Sequence, residues 1–282
     1  MKLKGARTIV TGASSGIGRA IALEFGRRGG RLLLAARTLE ALTEVASLVR
    51  ERGGEAVAVQ ADITAEGAAD QLARETMRHF GGIDILVNNA GVGLHATIAD
   101  AAAAEVEALF RLNVLAAAAA IRAVIPIMRE QQAGMIINIS SVAGRIVVPR
   151  IGYYSASKFA LTAIGDALRL EESHRGIRVM NVFPGTTRSR FGENRLGIRG
   201  PAAHQRLPPV PAEKVARRIA DSVERNRDSV YVSWFPDRLG VAANQLAGWA
   251  VAGVLRRWAR GAEAQEPPPQ PSPASGEGEA RR

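Results

Sequence analysis

A tyrosine pair followed by a lysine, in the segment YYSASKFA (153–160), is the first feature that suggests chemistry. If the segment is helical, side chains four residues apart share one face, so Tyr154 and Lys158 are neighbours and Tyr153 points away. A tyrosine phenol has a pKa of about 10, and a nearby ammonium favours the phenolate and lowers that pKa. The spacing predicts an acid–base pair; the alternative is an amphipathic helix whose lysine reaches to solvent.

A glycine-rich segment near the N-terminus, TGASSGIGRAIA (11–22), follows an apolar run and opens an amphipathic stretch. Its three glycines, Gly12, Gly16 and Gly18, would permit a tight turn and let backbone N–H groups approach a pyrophosphate at the positive end of a helix. Ser14 and Ser15 would add hydroxyl donors. The position after the first strand favours a dinucleotide-binding turn over a merely tight connection.

The second apolar run, RLLLAA (31–36), bears on which dinucleotide is bound. In dinucleotide-binding folds, an acidic residue at the tip of this strand binds the 2′-hydroxyl of the NAD ribose. Here Ala36 offers no carboxylate and Arg37 follows it, and a guanidinium suits a 2′-phosphate. The sequence therefore favours NADP(H) over NAD(H), unless Arg37 only begins the exposed face of the next helix.

The elements that must position these groups alternate along the chain. Strand candidates are 6–11, 31–36, 55–60, 83–88, 134–140, 177–183 and 229–233. Helix candidates are 16–29, 38–53, 64–80, 102–131, 152–174 and 211–226. The strand runs are apolar without polar alternation, as in a parallel sheet covered on both faces. We predict an α/β fold: a Rossmann-like doubly wound parallel sheet of about seven strands, with helices on both faces, in a single domain.

Composition argues against several classes of protein. The formal net charge is +10, but the arginines are dispersed, aromatic residues make up 5%, and no nucleic-acid-binding motif occurs, so we expect no nucleic-acid partner. The chain has no cysteine and its four histidines lack ligand spacing, so we predict no metal site. The N-terminus leads into a strand without a signal-peptide pattern, and we expect a cytoplasmic protein.

Taken in order, the motifs resemble the short-chain dehydrogenase/reductase family over about residues 5–232. The matching features are TGASSGIG (11–18), Asp62 after the third strand, NNAG (88–91), Asn113 in FRLNV, NISSVAG (138–144), YSASK (154–158) and the Pro-Gly pair at 184–185. Any one of these motifs is weak evidence, whereas the whole series in this order is strong evidence.

The resemblance implies a set of site residues. Tyr154 would be the catalytic acid/base and Lys158 its partner. Ser141, rather than Ser140, would hydrogen-bond the substrate oxygen, and Asn113 would hold a water in the proton relay. The implied cofactor-binding residues are Gly12, Ser14, Ser15, Gly16, Ile17, Gly18, Arg37, Asp62, Ile63, Asn89, Ala90, Gly91, Tyr154, Lys158, Pro184, Gly185, Thr187 and Ser189. The family usually has an aliphatic residue and a threonine at the last two positions, so a backbone contact and a serine hydroxyl would serve here.

The implied reaction is hydride transfer between NADP(H) and a carbonyl or secondary alcohol of a small-molecule substrate, with lipophilic and acyl-linked substrates both left open. We expect a homo-oligomer, either a dimer or a tetramer. The competing class is a non-catalytic dinucleotide-binding sensor or scaffold on the same fold. Such a protein would be expected to have lost the tyrosine or the lysine, and this chain has both.

Substrate identity should depend on the segments 92–97, 142–152 and 186–210, the last of which we predict to be a long substrate loop. His95 would either contact substrate or be structural. Against one acid, Glu193, the loop carries five arginines: Arg188, Arg190, Arg195, Arg199 and Arg206. They suit either a substrate with an anionic handle, such as an acyl thioester on a carrier or on CoA, or a solvated loop.

After the catalytic domain (1–235) we predict an apolar helical extension, 236–260, and a disordered tail, 261–282, rich in Pro, Glu and Ser. The stretch 239–255 is uncharged and ends in an arginine collar. We expect a helix that covers the substrate cleft or a partner subunit. The second interpretation is an interfacial helix, which would give 239–260 a peripheral contact with the inner face of a membrane and suit a lipophilic substrate.

Overall fold

The structure, a computed structural model, describes residues 1–192, 194–197, 209–233, 241, 243 and 244. Seven of the described segments form one parallel sheet. They are β1 (Arg7–Thr11), β2 (Arg31–Ala36), β3 (Glu55–Gln60), β4 (Ile85–Asn88), β5 (Gly134–Ile139), β6 (Ile177–Pro184) and β7 (Ser229–Val232). Their order across the sheet is β3-β2-β1-β4-β5-β6-β7. The order reverses between β1 and β4, and ligands of such sheets bind at the carboxyl ends of the strands at this switch point.

Helices flank the sheet on both faces. They are α1 (Gly16–Arg27), α2 (Leu39–Glu51), α3 (Ala68–Phe80), α4 (Ala103–Phe110), α5 (Ala116–Gln131), α6 (Gly152–Glu172) and α7 (Ala212–Glu224). Alternate side chains of each strand project to opposite faces, which divides the core into two layers. The layer containing Val10 and Leu34 includes buried residues of α1, α2 and α7. The layer containing Ile9 and Leu33 includes those of α3, α5 and α6.

The predicted α/β fold is confirmed, and each predicted strand of the sheet agrees with its observed bounds to within two residues. Two helix predictions differ more. The helix predicted from residue 64 begins at Ala68, because Gly67 has the left-handed φ of +71° and Thr64 is held in a turn on Asp62. The helix predicted over 102–131 is interrupted by a π-helical turn, Arg111–Leu115.

The helical run Ala103–Gln131 is, within the described residues, long and apolar enough to cross a membrane by length and composition. Half of the most apolar 18-residue stretch of this run is buried inside the protein. Ile121, Val124 and Met128 on this run belong to the core layer beneath the sheet. Its apolarity is therefore explained by packing in the core.

The predicted substrate loop contains short pieces of regular structure. Thr187–Arg188 pairs with Val210–Pro211, and Leu196–Gly197 pairs with Leu94–His95. Residues 193 and 198–208 of this loop lie outside the described residues, as do two of its five arginines.

The predicted apolar extension is described at three residues. Val241 is buried, and Asn244 Nδ2 donates to the carbonyl oxygen of Arg145 at 3.3 Å. This contact joins the extension to the segment that follows Ser141. The rest of the extension and the whole predicted tail lie outside the described residues.

Candidate active site

The glycine-rich turn joins β1 to α1 at the switch point. Gly12 and Gly16 have left-handed φ values of +64° and +56°, which favour glycine. A Cβ on Gly18 would lie 2.3 Å from the carbonyl oxygen of Gly12, so the helix packs too closely for any side chain there. Ser15, which precedes α1, makes no side-chain capping bond to the helix. The first N–H groups of α1 are therefore not capped by Ser15, which suits a phosphate at this end.

Thr11 and Asn89 hold the turn in place. Thr11 Oγ1 accepts from the backbone N–H groups of Asn89 and Ala90 at 3.0 and 3.1 Å. Asn89 Nδ2 donates to the carbonyl oxygens of Thr11 and Gly12 at 2.8 and 3.1 Å. The Asn89 side chain thus braces the turn. Thr11 was not among the predicted site residues, although a hydroxyl residue at the end of an apolar strand, directly before Gly12, is visible in the sequence.

Tyr154, Lys158 and Ser141 meet at the carboxyl end of β5. The side chains of Ser141 and Tyr154 are hydrogen-bonded to each other. Lys158 Nζ lies 5.9 Å from the centroid of the Tyr154 ring and donates to the carbonyl oxygen of Ile139 at 2.9 Å. Lys158 is 4% exposed. The structure therefore brings the phenol and the ammonium to the same face of α6, as their spacing predicts.

Burial sets the pKa values of this pair. It raises the pKa of Tyr154 to about 12, against a smaller lowering by the hydrogen bond with Ser141. It lowers the pKa of Lys158 to about 8. The expectation of a lowered tyrosine pKa is wrong for this arrangement, because loss of solvation disfavours both charged forms. The amine, which bonds to Ile139, does not offset that loss at the phenol.

Asn113 lies in the π-helical turn between α4 and α5, a kind of interruption that is frequent at functional sites. Its Oδ1 accepts from Val92 N at 2.8 Å, and its Nδ2 donates to Val92 O at 2.9 Å and to Ser157 Oγ at 3.0 Å. A Cβ on Gly91 would lie 3.0 Å from Asn113 Oδ1 and 3.4 Å from Lys158 Nζ. The turn thus places Asn113 beside the lysine and couples it to α6.

Ser140 and Tyr153, the sequence neighbours of Ser141 and Tyr154, make structural contacts. Ser140 Oγ is buried and donates to the carbonyl oxygen of Lys158 at 3.1 Å, while Ser141 lies beside Tyr154. The Tyr153 hydroxyl donates to the carbonyl oxygen of Ile98 at 3.4 Å, and its ring packs in a small apolar cluster. Ser141 and Tyr154 are the members of the two pairs that contact each other.

A row of three asparagines supports the carboxyl ends of the central strands. Asn88, Asn138 and Asn181 are in register on β4, β5 and β6, and all are buried. Asn88 Nδ2 donates to Asn138 Oδ1 at 3.1 Å, and Asn138 Nδ2 donates to Asn181 Oδ1 at 3.2 Å. Asn181 Nδ2 donates in turn to Asp166 on α6 at 2.9 Å. Since paired polar groups avoid the penalty of burial, this row links the sheet to the helix that carries Tyr154.

Arg37 and Asp62 lie at the carboxyl ends of β2 and β3, and both are exposed. The Asp62 carboxylate accepts from the hydroxyl and backbone N–H of Thr64 at 2.7 and 2.9 Å. These bonds, with a smaller contribution from the charge of Arg37, lower the pKa of Asp62. Ile63 follows, partly buried in the sheet layer. The two charged side chains are thus close enough to interact at this edge.

The segment after β6 covers the glycine-rich turn. Gly185, which follows Pro184, donates from its N–H to Val232 O at 3.0 Å, and Thr187 Oγ1 donates to Gly185 O at 3.0 Å. A Cβ on Gly16 would lie 3.1 Å from the Cβ of Ser189, so Ser189 faces the turn. His95 is 8% exposed and lies in the strand pair beneath the loop.

Comparison with known proteins agrees with this geometry. The family model for short chain dehydrogenases matches residues 6–196. The ketoacyl reductase HetN of Nostoc sp. is 34% identical over 260 residues, which are 90% of this chain and 89% of that protein. The chain belongs to the short-chain dehydrogenase/reductase family, a family of oxidoreductases.

Two solved structures of this family are similar over most of their length. A short chain dehydrogenase/reductase from Burkholderia phymatum, in complex with NAD, is 26% identical with a TM-score of 0.76, covering 97% of this chain and 99% of its own. A metagenomic short-chain oxidoreductase, in complex with NADP, is 31% identical with a TM-score of 0.69, covering 83% and 99%.

Proposed function

We propose that the protein is an NADP(H)-dependent oxidoreductase that transfers hydride between the cofactor and the carbonyl or secondary alcohol carbon of a small molecule. One observation carries the proposal. The Tyr154 phenol is hydrogen-bonded to Ser141 and lies one helical turn from the buried ammonium of Lys158, on the sheet edge that also holds the glycine-rich turn. The similarity to a ketoacyl reductase supports a carbonyl substrate.

The donors on this edge fit a nicotinamide dinucleotide. The uncapped start of α1 suits the pyrophosphate, and the solved relatives hold NAD or NADP. Lys158 has three N–H donors, of which one goes to Ile139, so it can also bind cofactor hydroxyls. When bound, the cofactor supplies or accepts the hydride at C4 of its nicotinamide ring. Arg37 supports NADP(H) because a guanidinium pairs well with a 2′-phosphate.

The chain's own residues handle the proton. In the reducing direction the carbonyl carbon gains the hydride, and its oxygen takes a proton from Tyr154 Oη while the Ser141 hydroxyl hydrogen-bonds that oxygen. A pKa of about 12 keeps the phenol protonated at neutral pH, which is the form that reduction needs. Asn113, held beside Lys158 by the π-helical turn, would hold a water that returns the proton.

A panel of carbonyls and secondary alcohols, assayed with NADPH, NADP⁺, NADH and NAD⁺, tests the proposal. We expect NADPH-dependent reduction of at least one carbonyl class, with the reverse oxidation favoured at high pH. Tight dinucleotide binding without turnover of any class would instead identify a sensor or scaffold.

A further inference from the structure

Phe191 lies against the candidate proton donor. Its ring centroid is 5.9 Å from that of Tyr154, with the ring planes tilted by 57°. The side chain is nevertheless 41% exposed. An aromatic ring that contacts Tyr154 on one side and is open on another forms a wall of the space in which a substrate carbonyl must approach the phenol.

The backbone around Phe191 is fixed to the rest of the site. A Cβ on Gly93 would lie 3.1 Å from Phe191 Cε1, so the glycine makes room for the ring. Leu196 donates from its backbone N–H to Gly93 O at 2.8 Å. The next backbone N–H, that of Gly197, donates to Glu105 Oε1 on α4 at 2.9 Å. The two hydrogen bonds hold the chain that follows the ring, at Leu196 and Gly197.

Apolar side chains are also exposed on two segments that adjoin the start of α6. Ile98, whose Cδ1 would lie 2.7 Å from a Cβ on Gly152 at the start of α6, is 61% exposed. Val147, in the segment leading from Ser141 to α6, is 57% exposed. A ring open beside the candidate proton donor, with further exposed apolar side chains on segments that adjoin α6, favours burial of an apolar ligand.

Building on the proposed reaction, we propose that Phe191 determines specificity by receiving an apolar group attached to the reacting carbonyl. Glu105 is a positioning residue, which acts by holding Gly197 and thereby the segment that carries the ring. The substrate class is an apolar ketone or aldehyde.

Reduction of methyl ketones from butan-2-one to octan-2-one by the full-length chain with NADPH tests the assignment. Because burial of each methylene is favourable, the parent's kcat/KM should rise about two- to fourfold per methylene. Phe191→Ala should flatten this rise in kcat/KM to less than about 1.5-fold per methylene. Phe159→Ala, which removes a similarly exposed ring (38%) from α6, should keep the parent's slope.

Three outcomes overturn the assignment. In Phe191→Ala, kcat/KM could rise with ketone length as steeply as in the parent, or fall by the same factor for short and long ketones. The parent could also reduce other carbonyls but no ketone of this series. Full activity of Tyr154→Phe would instead overturn the proposed reaction, so the two failures are distinguishable.

The positioning role of Glu105 has its own test in the same series. Glu105→Ala should raise the KM for octan-2-one severalfold with kcat within about twofold, because Gly197 loses its acceptor. Glu105→Gln keeps an oxygen acceptor and should restore the parent's KM. Glu107→Ala is the matched control, since Glu107 on the same helix pairs with Arg111 instead. A KM for Glu105→Ala equal to that of Glu107→Ala would refute the role.

Discussion

The lysine at the candidate site is held at a cost to the fold. Lys158 is nearly inaccessible, and burial lowers its pKa from 10.5 to about 8. A shift of that size corresponds to about 3 kcal/mol of unfavourable free energy for the protonated form. Such perturbed groups are frequent at functional sites, where burial and neighbouring charges adjust a group's pKa to its chemical role.

This burial predicts how stability depends on pH. Between about pH 8 and 10.5 the folded state binds fewer protons at Lys158 than the unfolded state does, so the parent's free energy of unfolding gains from this residue as pH rises. Lys158→Met has no titrating group at this position, so its free energy of unfolding lacks this rise with pH. Denaturant unfolding of both proteins from pH 7 to 10 should show the parent's free energy rising relative to the variant's. Parallel curves would contradict the assigned pKa. Tyr154 is present in both proteins and cancels in the difference.

Arg37 carries the proposed cofactor preference. Loss of one charge-assisted contact to the 2′-phosphate should weaken NADPH binding by about 1.5–3 kcal/mol in Arg37→Ala. NADH binding should barely change, because NADH lacks that phosphate. Fluorescence titration of both cofactors against both proteins measures this. Equal affinity of the parent for NADH and NADPH would refute the preference.

At the scale of elements, the glycine-rich turn depends on close backbone contact. A Cβ on Gly18 would meet both Gly12 O at 2.3 Å and Asn89 Nδ2 at 2.4 Å, and the first of these is backbone. The turn, the brace from Asn89 and the start of α1 therefore form one unit.

Substitution of Gly18 tests that unit. Gly18→Ala must shift the turn, so it should lower the free energy of unfolding by about 1–3 kcal/mol and weaken dinucleotide binding. Gly192→Ala is the control, because a Cβ there meets nothing within 4 Å, and it should stay within about 0.5 kcal/mol of the parent. Thermal unfolding and cofactor titration check both. A stable, fully binding Gly18→Ala would show that the turn tolerates a side chain.

Some elements were predictable from local sequence and others were not. The strands of the sheet follow from apolar runs, and the neighbourhood of Tyr154 and Lys158 follows from helical spacing. The π-helical turn at Asn113 was missed, because FRLNV continues an apolar helical pattern and the interruption is stabilised by bonds to Val92, distant in sequence. The short strand at Leu196 was missed because its partner is the equally short segment at Leu94.

At the scale of the whole molecule, the sequence pattern predicts a doubly wound sheet. It does not predict the pKa of Tyr154 or the hydrogen bonds among the three buried asparagines, because both depend on the tertiary structure. The raised pKa of Tyr154 depends on how completely β5, α6 and the segment after Ser141 exclude water around it. The row of asparagines depends on the register of three strands that are far apart in the chain. Spacing along one helix contains neither fact.

We predict that the C-terminal extension contributes to the stability or the oligomeric state of the protein. Val241 is 3% exposed and Asn244 bonds to the segment after Ser141, so a chain ending at 235 should lose stability or change its oligomeric state. A chain ending at 260 should match the parent, because it keeps these contacts. Thermal unfolding and light scattering of the three proteins in plain buffer decide this. Equal stability and size for all three would show that the extension supports neither fold nor assembly.

The central claim is that Tyr154, and not its neighbour, is the proton donor. With NADPH and the best substrate of the panel, kcat and cofactor affinity should be measured for Tyr154→Phe and Tyr153→Phe. We expect Tyr154→Phe to lower kcat by about 10²–10⁴-fold while NADPH still binds, because the variant loses the proton donor. Tyr153→Phe, which removes one long hydrogen bond to Ile98, should stay within about threefold of the parent. An active Tyr154→Phe beside an inactive Tyr153→Phe would contradict the account.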